Sequence, residues 1–333
     1  MSPLILPLLI SAALMASALL LPVLLQRAEP ILVRVPRLAV GFLLGAAALW
    51  LLSSAAVSLA LAWVLNGPQL LPSAYGNVCQ ACLEAATPFS SGASLTTPLP
   101  VAVLVAVPPA LLLGFLLVGT RRIIRHRRTV RSEYEAVLGA GRAATVMGHR
   151  VLVLPLQAPI AVTLPRGRGG IVVSDGLLEA LDPSEIAAVL AHEQTHLRQH
   201  HHLIVALLDA FAAPLRIIPL FGAVAEAVPR YLEIAADAHA RGHCGTPALA
   251  AALLRIGEHR HRPAAPLPIG SPAPLLHAAG PDRIAHLVAP PTMRTAWTPM
   301  VALLGLGVTL ALSVAGVHGP YLLVSLRGCG IPV

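Results

Sequence analysis

Two histidines and one glutamate lie within five consecutive positions, in the run His192-Glu193-Gln194-Thr195-His196. If this run is helical, the two histidines lie one turn apart and project from the same face. Neutral imidazole is a good ligand for Zn²⁺, and this spacing lets both rings reach one ion. Glu193 would then lie beside the ion, where it can take a proton from an attacking water. The pattern predicts a catalytic zinc site; chance histidines on a surface helix are the alternative.

A catalytic zinc ion needs a third protein ligand and one position that stays open. The candidate is Glu233, with Asp237 one helical turn further along, among small apolar residues where two acids are unusual. We predict that Glu233 is the third ligand. We predict that Asp237 hydrogen-bonds a ligating histidine from behind and so orients its ring. A solvated helix face is the alternative for both acids.

The helix that carries the two histidines has a clear start signal. Asp182 suits the N-cap, Pro183 the first turn and Glu185 the acid of a capping box. We expect this helix to run through at least His200. Before it, residues 134–142 are predicted as helix, and three short apolar runs predict a small sheet of hairpin-linked strands. These runs are residues 150–156, 159–164 and 170–174.

Other histidines have weaker patterns. His200, His201 and His202 are expected to continue the same helix, at an end that is solvated or at the membrane interface, with metal binding as the alternative. His239 and His243 are candidates for stabilising an oxyanion, and the sequence does not choose between them.

The composition indicates an integral membrane protein, mostly α-helical. Of the 333 residues, 56% are hydrophobic and 11% are charged, and the mean hydropathy is +0.77. Soluble globular proteins carry about 25% charged residues, so a soluble enzyme and a disordered chain are both disfavoured. About four apolar runs are long enough to span a bilayer. They cover residues 4–25, 38–65, 101–119 and 299–317.

The charges predict how these spans are oriented. Arginines cluster at 27–37 and 121–131, and such clusters favour the cytosolic side. We therefore predict three spans in residues 1–119 with an extracellular loop at 66–100, a cytosolic α+β domain with the zinc motif at 120–298, and a fourth span with a short outer tail at 299–333. The N-terminus would lie outside a multi-pass cell-membrane protein; a cleaved signal peptide is the alternative for the first run. The net charge of +8 is explained by orientation, so direct nucleic-acid binding is not expected.

Two further segments bear on the topology. Residues 203–228 are apolar but interrupted by Asp209, Pro214 and Arg216, so we predict a membrane-associated helical hairpin, with an extra pair of spans as the alternative. In the outer loop, Cys79 and Cys82 form a C-x-x-C pair, for which an oxidising exterior favours a disulfide over free thiols. A disulfide from one of these two cysteines to Cys329 is an alternative.

The motifs together resemble those of gluzincin membrane peptidases. The matching runs are residues 170–178, 185–196 with the two histidines, 230–237 with the two acids, and 282–287. Three spans before the domain and one after it make the chain most similar to BlaR/MecR-type metallopeptidases, and HtpX-type proteases share the motifs. The resemblance implies zinc bound by His192, His196 and Glu233, with Glu193 as the general base and Asp237 in support. It also implies a transcriptional repressor of the BlaI/MecI type as substrate, and a role in signal transduction.

One departure from that family concerns the input signal. BlaR/MecR-type sensors carry a large extracellular penicillin-binding domain after the last span, whereas about fifteen residues follow the fourth run here. Direct β-lactam sensing by such a domain is therefore not expected.

Three functions compete at this point. The first is a membrane zinc endopeptidase that hydrolyses peptide bonds of a cytosolic or membrane protein. The second is a non-catalytic signalling or scaffold protein with a structural metal site, which gives no role to Glu193. The third is a metal transporter, which is disfavoured because the four apolar runs contain no ionisable residue.

Overall fold

The computed structural model describes residues 5–66, 101–164, 170–259 and 297–327, and these residues are mostly helical with one small sheet. The helices are α1 (Ile5–Leu32), α2 (Pro36–Asn66), α3 (Val101–Ala140), α4 (Asp175–Ala180), α5 (Pro183–Arg198), α6 (His201–Phe211), α7 (Pro219–Cys244), α8 (Thr246–His259) and α9 (Trp297–Arg327), with a 3₁₀ turn at Ala213–Leu215. The strands are β1 (Arg142–Val146), β2 (His149–Leu154), β3 (Ala161–Thr163) and β4 (Ile171–Ser174).

Three of these helices are long and apolar enough to cross a membrane. Among the described residues, the candidate spans are Ile5–Leu32, Pro36–Ser58 and Trp297–Gly319. The predicted third span lies in α3, which continues without a break through the exposed arginines at 121–128 and ends at Ala140. The chain is therefore a membrane protein with three candidate spans, and the count of four stays a prediction.

The sheet is mixed, with strand order β1-β2-β4-β3. β1 and β2 form an antiparallel hairpin, whose two turn residues Met147 and Gly148 both have positive φ, the signature of a type I′ turn. β2 pairs with β4 in parallel, and β3 pairs antiparallel with β4 at the edge. The expectation of hairpin-linked strands was therefore wrong between β2 and β3, because β4 inserts between them. The helix expected at 134–142 ends at Ala140, and Arg142 starts a strand that the sequence did not predict.

One face of the sheet packs on α5. Val153 and Val173 from the sheet contact the same buried cluster as Val189 and Leu190 from α5. Fully burying such a side chain outside the membrane contributes roughly 1.5–3 kcal/mol, so this cluster fixes α5 against the sheet. The start of α5 follows the predicted capping box, since the main-chain N–H of Asp182 donates to Oε2 of Glu185 at 2.9 Å.

The long helix α7 joins this domain to the membrane helices. Its first half, including Leu220, Phe221 and Val224, is buried among residues of α1 and α2. Its second half packs on α5 and α8, where Ala240 belongs to the domain cluster. The segment 203–228 contains most of α6, the 3₁₀ turn and the first part of α7, and its association with the membrane as a hairpin stays a prediction. It continues directly into the helix that carries Glu233.

Candidate metal centre

His192 and His196 lie on one face of α5, as their spacing predicts. Both side chains are buried, and their rings meet edge to face with centroids 4.8 Å apart. The two Nε2 atoms are 3.0 Å apart. Two imidazole nitrogens whose lone pairs face each other at that distance repel unless a proton or a metal ion lies between them.

Glu233 reaches the same point from α7. Its Oε2 lies 3.5 Å from Nε2 of His192, and its Oε1 lies 3.4 Å from Nε2 of His196. The three donor atoms lie within 4.8 Å of one another, and all three residues are buried. The structure therefore brings together two side chains from one helix and one from another, 37 positions further along the chain.

This donor set suits zinc in both chemistry and spacing. Zinc–ligand bonds of about 2.0–2.1 Å in a tetrahedron place neighbouring donor atoms about 3.3 Å apart. The distance of 3.0 Å between the two Nε2 atoms and the contacts of 3.4 and 3.5 Å from them to different carboxylate oxygens of Glu233 lie close to that value. Two imidazoles and one carboxylate are also the ligand combination of a catalytic site that keeps its fourth position open.

Asp237 lies one turn beyond Glu233 and contacts His192 from behind. Its Oδ1 is 3.0 Å from Nδ1 of His192, an ion-pair contact that directs Nε2 of the same ring towards Glu233. Burial alone would lower the pKa of His192, but the contacts with Asp237 and Glu233 outweigh it and raise this pKa to about 10. The site thus has a strong local preference for a positive charge, which a divalent cation would satisfy.

His201 contradicts the sequence-based expectation. The helix that was expected to run through His200 ends at Arg198, because His200 takes a left-handed backbone conformation with φ of 54°. His201 then starts α6 and is 1% exposed, where a solvated or interfacial position was expected. Its Nδ1 is 2.8 Å from Nδ1 of His196. Burial, with the nearby charges of His192, Arg37 and His202, lowers the pKa of His201 to about 4.

Glu193 is buried on α5, next to His192, and contacts the edge strand. The hydroxyl of Thr163 in β3 donates to Oε2 of Glu193 at 2.6 Å. The sequence did not single out Thr163. The only available signal was that it lies in an apolar run predicted as a strand, which says nothing about the strand's neighbours.

The remaining candidates do not join this cluster in the described contacts. Nδ1 of His243 lies 2.9 Å from the main-chain oxygen of His239, so these two histidines contact each other along α7. Cys244 is a free thiol. Cys79, Cys82 and Cys329 lie outside the described residues, so their pairing stays a prediction.

A pair of imidazoles and a carboxylate that could hold a metal ion, with an adjacent buried acid, are carried by helices packed on a small sheet. Comparison with known proteins agrees: residues 151–289 match the model of the family described as Peptidase family M48. These findings support a hydrolase of the metalloprotease type.

The curated relatives point the same way. A protein named Protease HtpX homolog from Acidiphilium cryptum is 32% identical over 143 residues, which cover 33% of this chain and 50% of that protein. A Protease HtpX homolog from Campylobacter hominis is 34% identical over 90 residues, covering 26% and 32%, and one from Aquifex aeolicus is 30% identical over 81 residues, covering 24% and 27%. The chain therefore matches half or less of the length of these relatives. No solved structure matches.

Proposed function

We propose that this chain is a membrane-embedded, zinc-dependent endopeptidase. The observation that carries the proposal is the convergence of His192, His196 and Glu233, with Glu193 beside them on the same buried helix. The matched peptidase model and the relatives named as proteases support it.

In this proposal His192, His196 and Glu233 hold the metal, and Asp237 orients His192. When bound, zinc supplies positive charge that activates a water molecule and polarises the scissile carbonyl. Glu193 accepts the proton of the attacking water and then donates it to the amine that leaves. Thr163 holds the carboxylate of Glu193 in place for both transfers.

Within the described part of the chain no strand pairs with the outer edge of β3, and this edge offers a place for the substrate. The hydrogen bonds from Leu164 N to Gly170 O and from Ser174 N to Ile160 O show which residues of this segment bond to β4. With this register, the main-chain groups of Ala161 and Thr163 point away from β4, towards the open edge. We propose that a substrate segment in extended form pairs with these groups, next to the side chain that holds the base.

The finer assignments are proposals as well. On family resemblance, we propose a BlaR/MecR-type enzyme with a cytosolic repressor of the BlaI/MecI type as its substrate. The exposed arginines at 121–128 support a cytosolic location for the peptidase domain, in a multi-pass cell-membrane protein with four spans and an outer N-terminus. Impermeant thiol labelling of intact cells tests this orientation: Cys244 should react only after the membrane is permeabilised.

The central test is Glu193→Gln in the purified full-length protein in detergent. The variant should bind one equivalent of zinc, as the unaltered protein does, while cleavage of an unfolded protein substrate falls by a factor of about 10² to 10⁴. Glu226→Gln, at an exposed acid on α7, is the matched control and should leave cleavage unchanged. Undiminished, chelator-sensitive cleavage by Glu193→Gln would refute the mechanism, and zinc binding without any cleavage by the unaltered protein would favour a structural metal site.

A further inference from the structure

We propose that His201 is a positioning residue, which fixes the tautomer of His196, and that Gln199 fixes the tautomer of His201 in turn. The inference rests on the proposed metal site, and it extends that site to two residues outside the H-E-x-x-H pattern. Asp237 supports one of the two ligating imidazoles from behind; His201 and Gln199 provide the corresponding support for the other.

Three polar side chains form a continuous series of hydrogen bonds behind the site. Oε1 of Gln199 lies 3.1 Å from Nε2 of His201, and Nδ1 of His201 lies 2.8 Å from Nδ1 of His196. The rings of His196 and His201 are nearly perpendicular, with centroids 4.7 Å apart. Both histidines are buried, so neither ring can exchange these contacts for water.

These hydrogen bonds determine which ring nitrogens of His201 and His196 carry a proton. An amide oxygen only accepts, so Nε2 of His201 carries the proton and donates to Gln199. The neutral ring of His201 then has its lone pair on Nδ1, which must accept from Nδ1–H of His196. The lone pair of His196 is therefore left on Nε2, the atom that lies 3.4 Å from Glu233. The opposite arrangement would put a proton on the nitrogen that has to bind the metal.

The break at His200 makes this contact possible. In a continuous helix a residue five positions after His196 is rotated by about 140° around the axis, away from the face that bears the metal. The left-handed conformation of His200 ends α5 and starts α6 in a new direction. This turn brings the ring of His201 back against His196. A non-glycine residue with positive φ is retained mainly where the surrounding structure demands it.

The experiment measures zinc affinity of the full-length protein in detergent by competition with a chromophoric chelator. His201→Leu removes the acceptor and should weaken zinc binding about 10- to 100-fold. His201→Asn places an amide oxygen near the position of Nδ1 and should recover most of this loss. Gln199→Met should weaken binding several-fold, whereas Gln199→Glu, which keeps an acceptor, should bind zinc as the unaltered protein does.

Further variants keep the outcome decisive. His200→Gly retains the turn without a side chain and should keep full zinc affinity. Gln199 is only partly buried, so Gln199→Met should fold even if His201→Leu does not. If His201→Leu and Gln199→Met bind zinc as tightly as the unaltered protein, the positioning role is refuted while the metal site stands. If the unaltered protein binds zinc no better than His192→Asn, the metal site itself is refuted, and this inference with it.

Discussion

The hydroxyl of Thr163 lies 2.6 Å from Oε2 of Glu193, so the edge strand of the sheet holds the carboxylate that we propose as the general base. This contact joins the strand proposed to bind the substrate to the group proposed to act on it. Because the residues of β3 that pair with β4 alternate with those that face the open edge, Thr163 can present its main chain to a substrate and its side chain to Glu193.

Replacing Thr163 tests that contact. Thr163→Val keeps the shape of the side chain but removes the donor, and a hydrogen bond to a charged group contributes about 1.5–3 kcal/mol. We expect kcat to fall roughly ten-fold or more, with KM and zinc content little changed, because the base loses its fixed position. Thr163→Ser keeps the hydroxyl and should retain most of the activity. Equal kcat values for Thr163→Val and Thr163→Ser would show that the contact has no catalytic role.

Asp237 should contribute to zinc affinity as well as to folding. Its carboxylate contacts Nδ1 of His192 at 3.0 Å, and loss of such a partner typically reduces metal affinity by about 10- to 100-fold. We expect the zinc affinity of Asp237→Ala to fall by close to 100-fold, the larger loss in that range. Asp237→Asn should lose less affinity, since its amide oxygen still accepts a hydrogen bond. Chelator competition measures both, with the exposed Glu226→Gln on the same helix as the control. An affinity unchanged in Asp237→Ala would mean that Asp237 does not support the site.

The metal-free protein should become less stable in alkaline solution. Burial alone would lower the pKa of His192, but the contacts of its ring with Asp237 and Glu233 raise this pKa from 6.5 to about 10. A raised pKa means that the folded state binds this proton more tightly than the unfolded state does. The resulting stabilisation is complete below pH 6.5 and is lost as the pH rises towards about 10.

Thermal unfolding in detergent with excess chelator, scanned across that range, checks this expectation. The Tm of the chelated protein should fall with rising pH more steeply than that of the zinc-loaded protein, in which the metal takes the place of the proton. His192→Asn, which lacks the titrating group, should lose the extra slope. If the chelated and zinc-loaded forms of the unaltered protein show parallel pH dependence, the proton on His192 contributes little to stability.

Local signals predicted the centre of the site, and tertiary structure supplied the rest. The capping residues before α5 and the spacing of His192 and His196 depend only on the geometry of one helix. Glu233 was singled out because a carboxylate among small apolar residues is unusual unless it has a binding partner. His201 was misplaced because nothing in the sequence marks His200 as the end of the helix: neither glycine nor proline stands there. Thr163 was missed because its contact with Glu193 depends on where β3 lies in the sheet. That position follows from the parallel pairing of β2 with β4, which places β4 between β2 and β3 and which no local pattern encodes.

The first turn of α4, which follows β4 directly, gives a further stability prediction in a part of the fold that positions β3. The main-chain N–H of Gly176 donates to the carbonyl oxygen of Leu156 at 2.9 Å, and a Cβ at this position would collide with the main-chain carbonyl of Gln157. Backbone cannot move aside as a flexible side chain can, so Gly176→Ala should destabilise the protein by about 1–3 kcal/mol.

Gly242→Ala is the matched control, because a Cβ there meets nothing within 4 Å on an exposed face of α7. Alanine in a helix interior is favoured over glycine by about 0.5–1 kcal/mol, so this variant should be neutral or slightly more stable. The Tm of the two variants in detergent distinguishes a collision from a general effect of adding a methyl group. Since the loop at Gln157 leads into β3, Gly176→Ala should also shift the edge strand and lower cleavage activity, whereas Gly242→Ala should not. A Gly176→Ala protein with unaltered Tm would mean that the loop can move away from α4, and the edge strand would then not be fixed by this contact.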